Sequence, residues 1–325
     1  MYKLISYLLV ASASMIGGFF LGARQSPPPS TDITPSFSSL RQSGYHFTNP
    51  LLDCELSISP DNNAAISPIH KQISSQINSK LSAEQVQEIA YYFRDLNNGP
   101  WFGINEGSVF TPASLLKTPM MITYLKLAES SPQILEEKIF FDSQKLEPSI
   151  AGLETLKPSS SYSVRELIER MIIYSDNDAF NLLTKNIDYQ LVKGVHQDLG
   201  LPLPQENTPE DFITVKEYAG LFRVLYNASY LSREMSENAL SILSHAAYQD
   251  GLVRGVGEQV ELAHKFGIRK GENGINQLHD CGIVYFPEHP YLICIMTKGS
   301  DIQALTQTLQ DLSRITYEQV LSLYP

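Results

Sequence analysis

Cysteine and clustered positive charge are both scarce in this sequence of 325 residues. Three cysteines cannot form the dense disulfide framework of small secreted domains. Lys and Arg number 24 against 35 Asp and Glu, and the net charge of −11 argues against the clustered basic surface that nucleic acid requires. We therefore expect no nucleic-acid partner. A neutral or small anionic ligand is compatible with this charge, because one or two local cations can outweigh the global field.

Metal-binding patterns are missing as well. The seven histidines are scattered, and neither His-x-x-x-His nor His-Glu-x-x-His occurs in the sequence. Such spacings place two imidazoles on one face of a helix, where many zinc hydrolases bind their metal. We expect no metal and no cofactor. His264 and His279 are interpreted as strand histidines with satisfied hydrogen bonds.

Two of the three cysteines flank a predicted hairpin turn at residues 286–290. Cys281 and Cys294 could therefore face each other across paired strands. We interpret them as two small buried hydrophobic side chains, which is how free cysteines commonly behave. Cys54 has no obvious partner.

The hydrophobic content, 43% of the residues, is ample for a core, and its one long run lies at the N-terminus. Residues 4–23 are uncharged and lie between Lys3 and Arg24, and about twenty residues suffice to cross a bilayer as a helix. Residues 1–24 are thus predicted to be a membrane anchor, with a cleaved signal as the alternative. Residues 25–65 are rich in Pro, Ser and Thr and are predicted to be a linker. We expect residues 66–325 to form one monomeric domain outside the cytoplasm, either membrane-anchored or secreted.

Hydrophobic spacing in residues 66–325 outlines the secondary structure. Ile69, Ile73, Ile77 and Leu81 recur every four residues and predict an amphipathic helix. A hairpin, a mostly helical section, three strands and a final helix follow. The hairpin strands are predicted at residues 86–96 and 101–105, and the helical section extends to about residue 250. The three later strands are predicted at residues 257–268, 277–286 and 290–298, and the last helix at residues 301–322.

This order predicts an α/β fold of the α+β kind. A five-stranded, mainly antiparallel sheet is expected, covered by the N- and C-terminal helices. An all-helical second lobe, at about residues 107–250, is inserted after the first hairpin. The cleft between the lobes is the expected position of a functional site.

Ser114 and Lys117 form the first candidate site. They open a helical run that ends near Glu129, and three residues are about one helical turn, so the two side chains share a face. A serine hydroxyl becomes a good nucleophile only when a neighbouring base takes its proton. Lysine can be that base when a second cation or burial lowers its pKa. The spacing alone also fits an ordinary exposed helix face.

Two further polar segments are candidates. Ser175-Asp176-Asn177 follows a helix that we predict to begin at a capping box, Ser163 to Glu166. It reads either as a turn with a helix cap or as a proton relay at Ser175 with a substrate contact at Asn177. Lys265, at the end of a predicted strand, is either an edge-strand lysine or a second cation beside Lys117 that also meets a substrate carboxylate.

The three segments together resemble a known motif set. Ser-x-x-Lys, Ser-Asp-Asn and Lys-x-Gly, in this order, are the signature of class A β-lactamases and related penicillin-binding proteins. Residues 92–97 and 103–106 look like the first hairpin of that family. Residues 176–183 resemble the helix after its second motif, and residues 279–285 are similar to the strand after its lysine motif. The resemblance extends over about residues 66–322.

The resemblance implies an active-serine hydrolase that acts on β-lactams or D-alanyl peptides through an acyl-enzyme. Ser114 would be the acylated nucleophile, Lys117 its base, and Ser175 the donor of a proton to the leaving nitrogen. Asn177, Lys265 and Gly267 would line the substrate site. The backbone N–H groups of Ser114 and Ile268 would form the oxyanion hole.

The sequence departs from this family at two places. Phe266 stands where the family has Thr or Ser, whose hydroxyl contacts the substrate carboxylate. Residues 201–212 lack the Glu-x-Leu-Asn whose glutamate activates the deacylating water. Glu206, Glu210 or Asp211 could substitute, but solvated loop acids are the simpler interpretation. We therefore predict competent acylation and slow deacylation.

Two alternatives to a β-lactamase-like hydrolase stay open. One is a penicillin-binding D,D-peptidase that uses the same acyl-enzyme on cell-wall peptides. The other is a non-catalytic cell-wall-binding module, which Phe266 favours and the retained motifs oppose.

Overall fold

The computed structural model describes residues 41–42, 44–51, 66–82, 86–97, 99–142, 156–271 and 273–324. The anchor predicted at residues 1–24, Cys54 and most of the predicted linker lie outside the described residues. Within the described ranges, no helix is long and apolar enough to span a bilayer.

The helices and strands of the described chain have the following bounds. The helices are α1 (Ser67–Leu81), α2 (Lys117–Ser130), α3 (Val164–Ile173), α4 (Asn177–Lys185), α5 (Tyr189–Asp198), α6 (Val215–Tyr226), α7 (Arg233–Ser244), α8 (Leu252–Val256) and α9 (Ile302–Leu323). The strands are β1 (Val86–Asp95), β2 (Trp101–Ile104), β3 (Val109–Phe110), β4 (Lys138–Phe141), β5 (Ser160–Ser163), β6 (Ile213–Thr214), β7 (Leu262–Lys270), β8 (Asn276–Val284) and β9 (Tyr291–Gly299).

A five-stranded antiparallel sheet is the centre of the fold, as predicted. Its strand order is β2-β1-β9-β8-β7, so the first hairpin and the last three strands are joined through β1 and β9. The strand β7 begins at Leu262 rather than at the predicted residue 257, because Gly257, with φ +97°, ends α8 and redirects the chain. The prediction of sheet type and strand number is confirmed.

The terminal helices α1 and α9 pack on one face of this sheet. The predicted four-residue spacing is confirmed, since Ile69, Ile73 and Ile77 are the buried side chains of α1. On α9, Leu305 and Leu309 are fully buried in the same core cluster. Each such side chain contributes about 1.5–3 kcal/mol by leaving water, so this layer fixes the sheet from behind.

A mostly helical lobe covers the other face. At its centre lies α2, whose side chains from Lys117 to Leu125 are all buried. Two short antiparallel ladders, β3 with β6 and β4 with β5, also belong to this part of the chain and were not foreseen in an all-helical lobe. Ser163 caps α3 by accepting the N–H of Glu166, which is one half of the predicted capping box, and a complete capping box forms at Thr214.

Part of the predicted linker contacts the domain. The backbone N–H groups of His46, Phe47 and Thr48 donate to the carboxylate of Glu237 on α7, at 2.8, 2.8 and 2.9 Å. Phe47 and Thr48 are buried there. Residues 46–48 are therefore held on the domain surface by one carboxylate, and the boundary between linker and domain stays a prediction.

The interpretation of Cys281 and Cys294 as free buried thiols is wrong. The two residues are direct cross-strand partners on β8 and β9, and they form a disulfide. Both are fully buried. The two residues face each other because of the register in which β8 and β9 pair. The spacing of the cysteines around the predicted turn did not establish that register.

We predict that this disulfide stabilises the domain measurably. Alkylation in denaturant without reductant should leave Cys281 and Cys294 unmodified, and both should react after reduction, as peptide mass mapping would show. The double variant Cys281→Ala/Cys294→Ala should lose about 2–4 kcal/mol of unfolding free energy, because the crosslink constrains the unfolded chain. Alkylation of both residues without reductant would contradict the assignment.

Candidate active site

The nucleophile candidate lies in a tight turn that leads into α2. Residues Ala113–Leu116 form a 3₁₀ turn and α2 begins at Lys117. With three residues per turn, the 3₁₀ geometry aligns Ser114 directly with Lys117, and Lys117 Nζ lies 3.1 Å from Ser114 Oγ. Ala113 has a φ of +48°, a conformation that L-residues adopt at a cost. The surrounding contacts must hold this segment in place.

The second segment is the turn between α3 and α4. Asp176 caps α4 by accepting the N–H of Ala179 at 3.1 Å, and its carboxylate also pairs with Arg170 of α3 at 3.0 Å. Ser175 has a φ of +55°. The Arg170–Asp176 pair thus holds Ser175 in a strained conformation that points its polar groups at Lys117.

The third segment is β7, which approaches the nucleophile turn closely. A Cβ on Gly267 would lie 2.9 Å from the carbonyl O of Pro112 and 3.0 Å from Cγ of Leu115. Only glycine allows this approach without displacing the turn. Lys265, two residues earlier, donates to Ser175 Oγ at 3.0 Å. The three segments predicted from sequence therefore meet at one place.

The contacts of Lys117 can be made by a neutral amine as well as by an ammonium. Its Nζ lies 2.6 Å from the carbonyl O of Ser175 and 2.6 Å from Oδ1 of Asn177, and both atoms can only accept. It lies 3.1 Å from the hydroxyl oxygens of Ser114 and Ser175. A neutral amine has two N–H groups for the two acceptors, which leaves its lone pair for a hydroxyl proton.

Burial makes the neutral form accessible. Desolvation lowers the pKa of Lys117 to about 8, against an opposing contribution from Asp176. At pH 7, about a tenth of the molecules would then carry the free amine. Desolvation also lowers the pKa of Lys265, and Lys117 lowers it further. Burial is the largest cause of the lowered pKa of Lys117, and Lys265, the predicted second cation, lies close enough that the two lysines disfavour each other's charge.

The Ser175 hydroxyl lies between the two lysines. Both lysine Nζ atoms lie within 3.1 Å of its Oγ. When Lys117 is an ammonium, its third N–H and an N–H of Lys265 can occupy the two acceptor lone pairs of this hydroxyl, and the hydroxyl proton is left to point elsewhere. Ile268, whose N–H is predicted to join the oxyanion hole, follows Gly267 with a partly exposed side chain, and that role stays a prediction.

A hydrogen-bond network holds Thr111, three residues before Ser114. The Thr111 hydroxyl donates to Asp211 Oδ1 at 2.6 Å, and its N–H donates to Gln277 Oε1 at 2.9 Å. Asp211 also accepts from Gln277 Nε2 and from Lys298 Nζ, each at 2.7 Å. The loop acid Asp211 is therefore tied to β8 and β9 and stabilises the entry to the nucleophile turn.

His279 also forms a hydrogen bond with Thr111. Its Nδ1 accepts the backbone N–H of Thr297 at 3.3 Å, so the proton must be on Nε2, which donates to the carbonyl of Thr111 at 3.0 Å. Burial lowers the pKa of His279 to about 4, so the ring is neutral at pH 7. His264 pairs with the buried Asp280 at 2.9 Å. Both histidines are satisfied in strands, as the sequence analysis interpreted them.

The other two loop acids face solvent. Glu210 is 71% exposed and pairs with Arg269 at 2.6 Å, and Glu206 is exposed. Among the contacts of the described residues, none joins Glu206, Glu210 or Asp211 to Ser114 or Lys117. The described residues also contain no cluster of three or more potential metal ligands.

The hydrogen bonds and ion pairs that hold the site segments in place were not predicted from the sequence. Asp176 was interpreted as part of a motif, but its pairing with Arg170 six residues earlier was not foreseen. The network around Asp211 joins residues more than sixty positions apart, and only the proximity of Thr111 to Ser114 offered a local signal.

A model of the β-lactamase enzyme family matches residues 72–320. The chain belongs to the β-lactamase enzyme family. The match spans all three segments of the site, from the nucleophile turn to β7, and supports a serine hydrolase of the β-lactamase or penicillin-binding kind.

Solved structures share this fold. PBP-A superposes with a TM-score of 0.68 at 23% identity, over 83% of this chain and 99% of that one. A penicillin G acyl-enzyme complex of a PBP-A mutant gives a TM-score of 0.67 at 23% identity, over 83% and 100% of the two chains. A β-lactamase from Sphaerobacter thermophilus gives 0.67 at 20% identity, over 78% and 98%. No curated protein sequence matches the chain significantly.

We predict that Asp211→Asn destabilises the domain by about 1–2 kcal/mol at pH 7, because it removes charge-assisted hydrogen bonds. Burial raises the pKa of Asp211, but its bonds from Lys298, Thr111 and Gln277 outweigh burial and lower the pKa overall. The carboxylate therefore stabilises the fold above its ordinary pKa, and this contribution fades as the pH falls.

Urea unfolding at pH 7 and pH 3 measures the effect. The difference in unfolding free energy between wild type and Asp211→Asn should be smaller at pH 3 than at pH 7. Glu210→Gln is the matched control, since its exposed ion pair is worth at most about 0.5 kcal/mol. Equal losses of unfolding free energy in Asp211→Asn and Glu210→Gln would show that the hydrogen bonds of Asp211 do not stabilise the turn before Ser114.

Proposed function

We propose that this chain is an active-serine hydrolase that opens β-lactam or D-alanyl-peptide amide bonds through an acyl-enzyme on Ser114. The position of Lys117 Nζ carries the proposal, because its two pure acceptors and two hydroxyl neighbours leave a lone pair for a serine proton. The fold and the family support the same reaction class.

The first half of the reaction follows from these contacts. Neutral Lys117 takes the proton of Ser114 as Oγ attacks the carbonyl carbon. The oxyanion is held by the N–H groups of Ser114 and Ile268, and such donors are typically worth two or three orders of magnitude in rate. The C–N bond then breaks as Ser175 gives its proton to the leaving nitrogen. Lys117, now an ammonium 3.1 Å from Ser175 Oγ, returns a proton to it.

Deacylation is proposed to be slow. It requires a base that activates water beside the ester, and the acids of residues 201–212 are otherwise engaged or exposed. Asp211 is tied into the network around Thr111, and Glu210 pairs with Arg269. A long-lived acyl-enzyme is the expected result.

A D,D-peptidase is the second candidate. The proposed slow deacylation of a β-lactam agrees with this candidate, since such enzymes are inhibited by the covalent adduct that a β-lactamase hydrolyses. The likeness to PBP-A and to a penicillin G acyl-enzyme of its mutant supports the same candidate. Release of D-alanine from a stem-peptide mimic would distinguish it from a β-lactamase.

We propose that the domain works outside the cytoplasm, as a monomer that is either anchored by residues 1–24 or secreted. The disulfide between Cys281 and Cys294 supports this location, because disulfides persist in oxidising compartments and are rare in the cytosol.

Incubation with benzylpenicillin should add the mass of one penicillin to the protein, at Ser114 by peptide mapping. Ser114→Ala should give no adduct. Lys117→Arg keeps a cation of similar length but cannot supply a free amine, so acylation should fall by about 100-fold or more. A folded wild-type protein that no β-lactam labels would favour the non-catalytic wall-binding module.

The adduct should persist, with loss over many minutes rather than seconds when excess penicillin is removed. Intact mass against time measures this rate. Glu206→Gln should leave it unchanged within about twofold, because a solvated carboxylate contributes little to the site. Rapid hydrolysis of a chromogenic cephalosporin that Glu206→Gln abolishes would identify Glu206 as a working base and overturn slow deacylation.

A further inference from the structure

A partly open cavity of about 330 Å³ lies between residues 44–49 and the turn that joins β8 to β9. Its volume is in the range of small-molecule sites. Tyr226 of α6 and Glu261, directly before β7, complete its wall. Of the described residues that meet around Lys117, none lines it, and Glu261 lies roughly 13 Å before Lys265 along extended chain. The cavity is therefore separate from the candidate active site.

Hydrogen bonds hold the walls of this cavity together. The backbone N–H groups of residues 46–48 donate to Glu237. From the opposite wall, the Tyr285 hydroxyl donates to the carbonyl of Phe47 at 3.2 Å, and the two rings meet edge to face. The backbone N–H of Tyr285 donates to the carbonyl of Glu261 at 2.9 Å. Because these contacts already fix the walls, a ligand does not have to order them when it binds.

The wall combines carboxylates with aromatic rings. Glu261 and Glu288 are its acids, and no Lys or Arg is among the described residues that line it. Glu261 Oε2 lies 2.7 Å from His46 Nε2, and no hydrogen bond of the described residues uses the second oxygen of this carboxylate. Carboxylates and the faces of aromatic rings both attract cations. The aromatic rings of the wall are those of Tyr45, Phe47, Tyr226, Tyr285 and Phe286.

Two of the protein's own cations already lie on rings of this wall. The guanidinium carbon of Arg233 is 4.0 Å from the centroid of the Tyr45 ring, and that of Arg41 is 5.6 Å from the centroid of the Tyr226 ring. Both distances are within the range of cation–π interactions. Rings of this wall therefore accept cations in the folded protein.

The charges and polar groups of the wall favour a cation that carries N–H groups. Burial raises the pKa of the Tyr285 hydroxyl well above its ordinary value, and the carboxylates of Glu237 and Glu261 raise it further. Negative charge is thus disfavoured beside Tyr285. Thr48 also lines the cavity, and its buried hydroxyl has no hydrogen-bond partner among the described residues. A buried hydroxyl of this kind is normally satisfied by a water or a ligand.

We propose that this cavity binds a small molecule through a primary ammonium group, at a site distinct from the one around Ser114. Glu261 and Glu288 accept its N–H groups, and the rings of Phe47 and Tyr285 contact its charge and its alkyl chain. This binding does not depend on acyl transfer to Ser114.

n-Pentylammonium and 1-pentanol are the matched probes, because they differ only in the charged end. In ¹⁵N–¹H NMR spectra of the full-length protein, n-pentylammonium should shift the backbone amides of residues 44–49 and 285–289, with a Kd in the millimolar range or lower. The alcohol should bind at least about fivefold more weakly, since it lacks the charge that the rings and acids attract. Equal affinities, no shifts in these two segments, or shifts spread over the whole acidic surface would overturn the proposal.

Glu261→Gln removes one carboxylate at nearly constant shape, so it should weaken n-pentylammonium binding by about fivefold and leave 1-pentanol binding unchanged. Glu210→Gln is the matched control, because this exposed acid does not line the cavity, and its affinity should equal that of the wild type. Ser114→Ala should also bind the probe like the wild type, which separates this site from the proposed function. An unchanged affinity in folded Glu261→Gln overturns the proposal, and the comparison of the two probes on the wild type decides it if this variant does not fold.

Discussion

The site depends on how one buried amine is held. Lys117 Nζ is fixed by two short contacts to groups that can only accept, the carbonyl of Ser175 and the amide oxygen of Asn177. Because these contacts use both N–H groups of a neutral amine, the lone pair is directed at a serine hydroxyl. Burial lowers the pKa of Lys117 enough for that neutral form to exist near neutral pH. Without this arrangement, Ser114 would be an ordinary hydroxyl on the edge of a helix.

The turns that position these groups contain strained backbone conformations, and contacts with neighbouring residues hold those conformations in place. Two residues with positive φ, Ala113 and Ser175, carry the turns that aim the reactive groups. Such conformations cost on the order of 1–3 kcal/mol each and persist only where neighbours fix them. The neighbours are the Arg170–Asp176 pair on one side and the hydrogen bonds around Thr111 on the other. The sheet and its covering helices thus serve to bring three short segments into hydrogen-bond contact around the two lysines.

Local patterns were enough to predict the sheet and the terminal helices, since Ile69, Ile73 and Ile77 repeat with the period of a helix face. The motif order was enough to predict that Ser114, Lys117 and Ser175 meet. Long-range pairings were not predictable, because the bond from Asp211 to Thr111 or the Cys281–Cys294 disulfide depends on strand register and loop path. The stacking of Phe266 on Tyr248 was not predictable either, because it joins two residues of different segments. The sequence therefore predicted which groups meet, and the structure showed what holds them.

The protonation state of Lys117 is the central claim, and it can be measured directly. A ¹³C and ¹⁵N NMR titration of the Lys117 side chain in the free enzyme, assigned with Lys117→Arg, would report its pKa. We expect titration near pH 8, so that the free amine and the rate of Ser114 acylation rise together as the pH increases through that value. A Lys117 amine that stays protonated up to about pH 10, the ordinary range for a solvated lysine, would contradict this account of how Ser114 is activated.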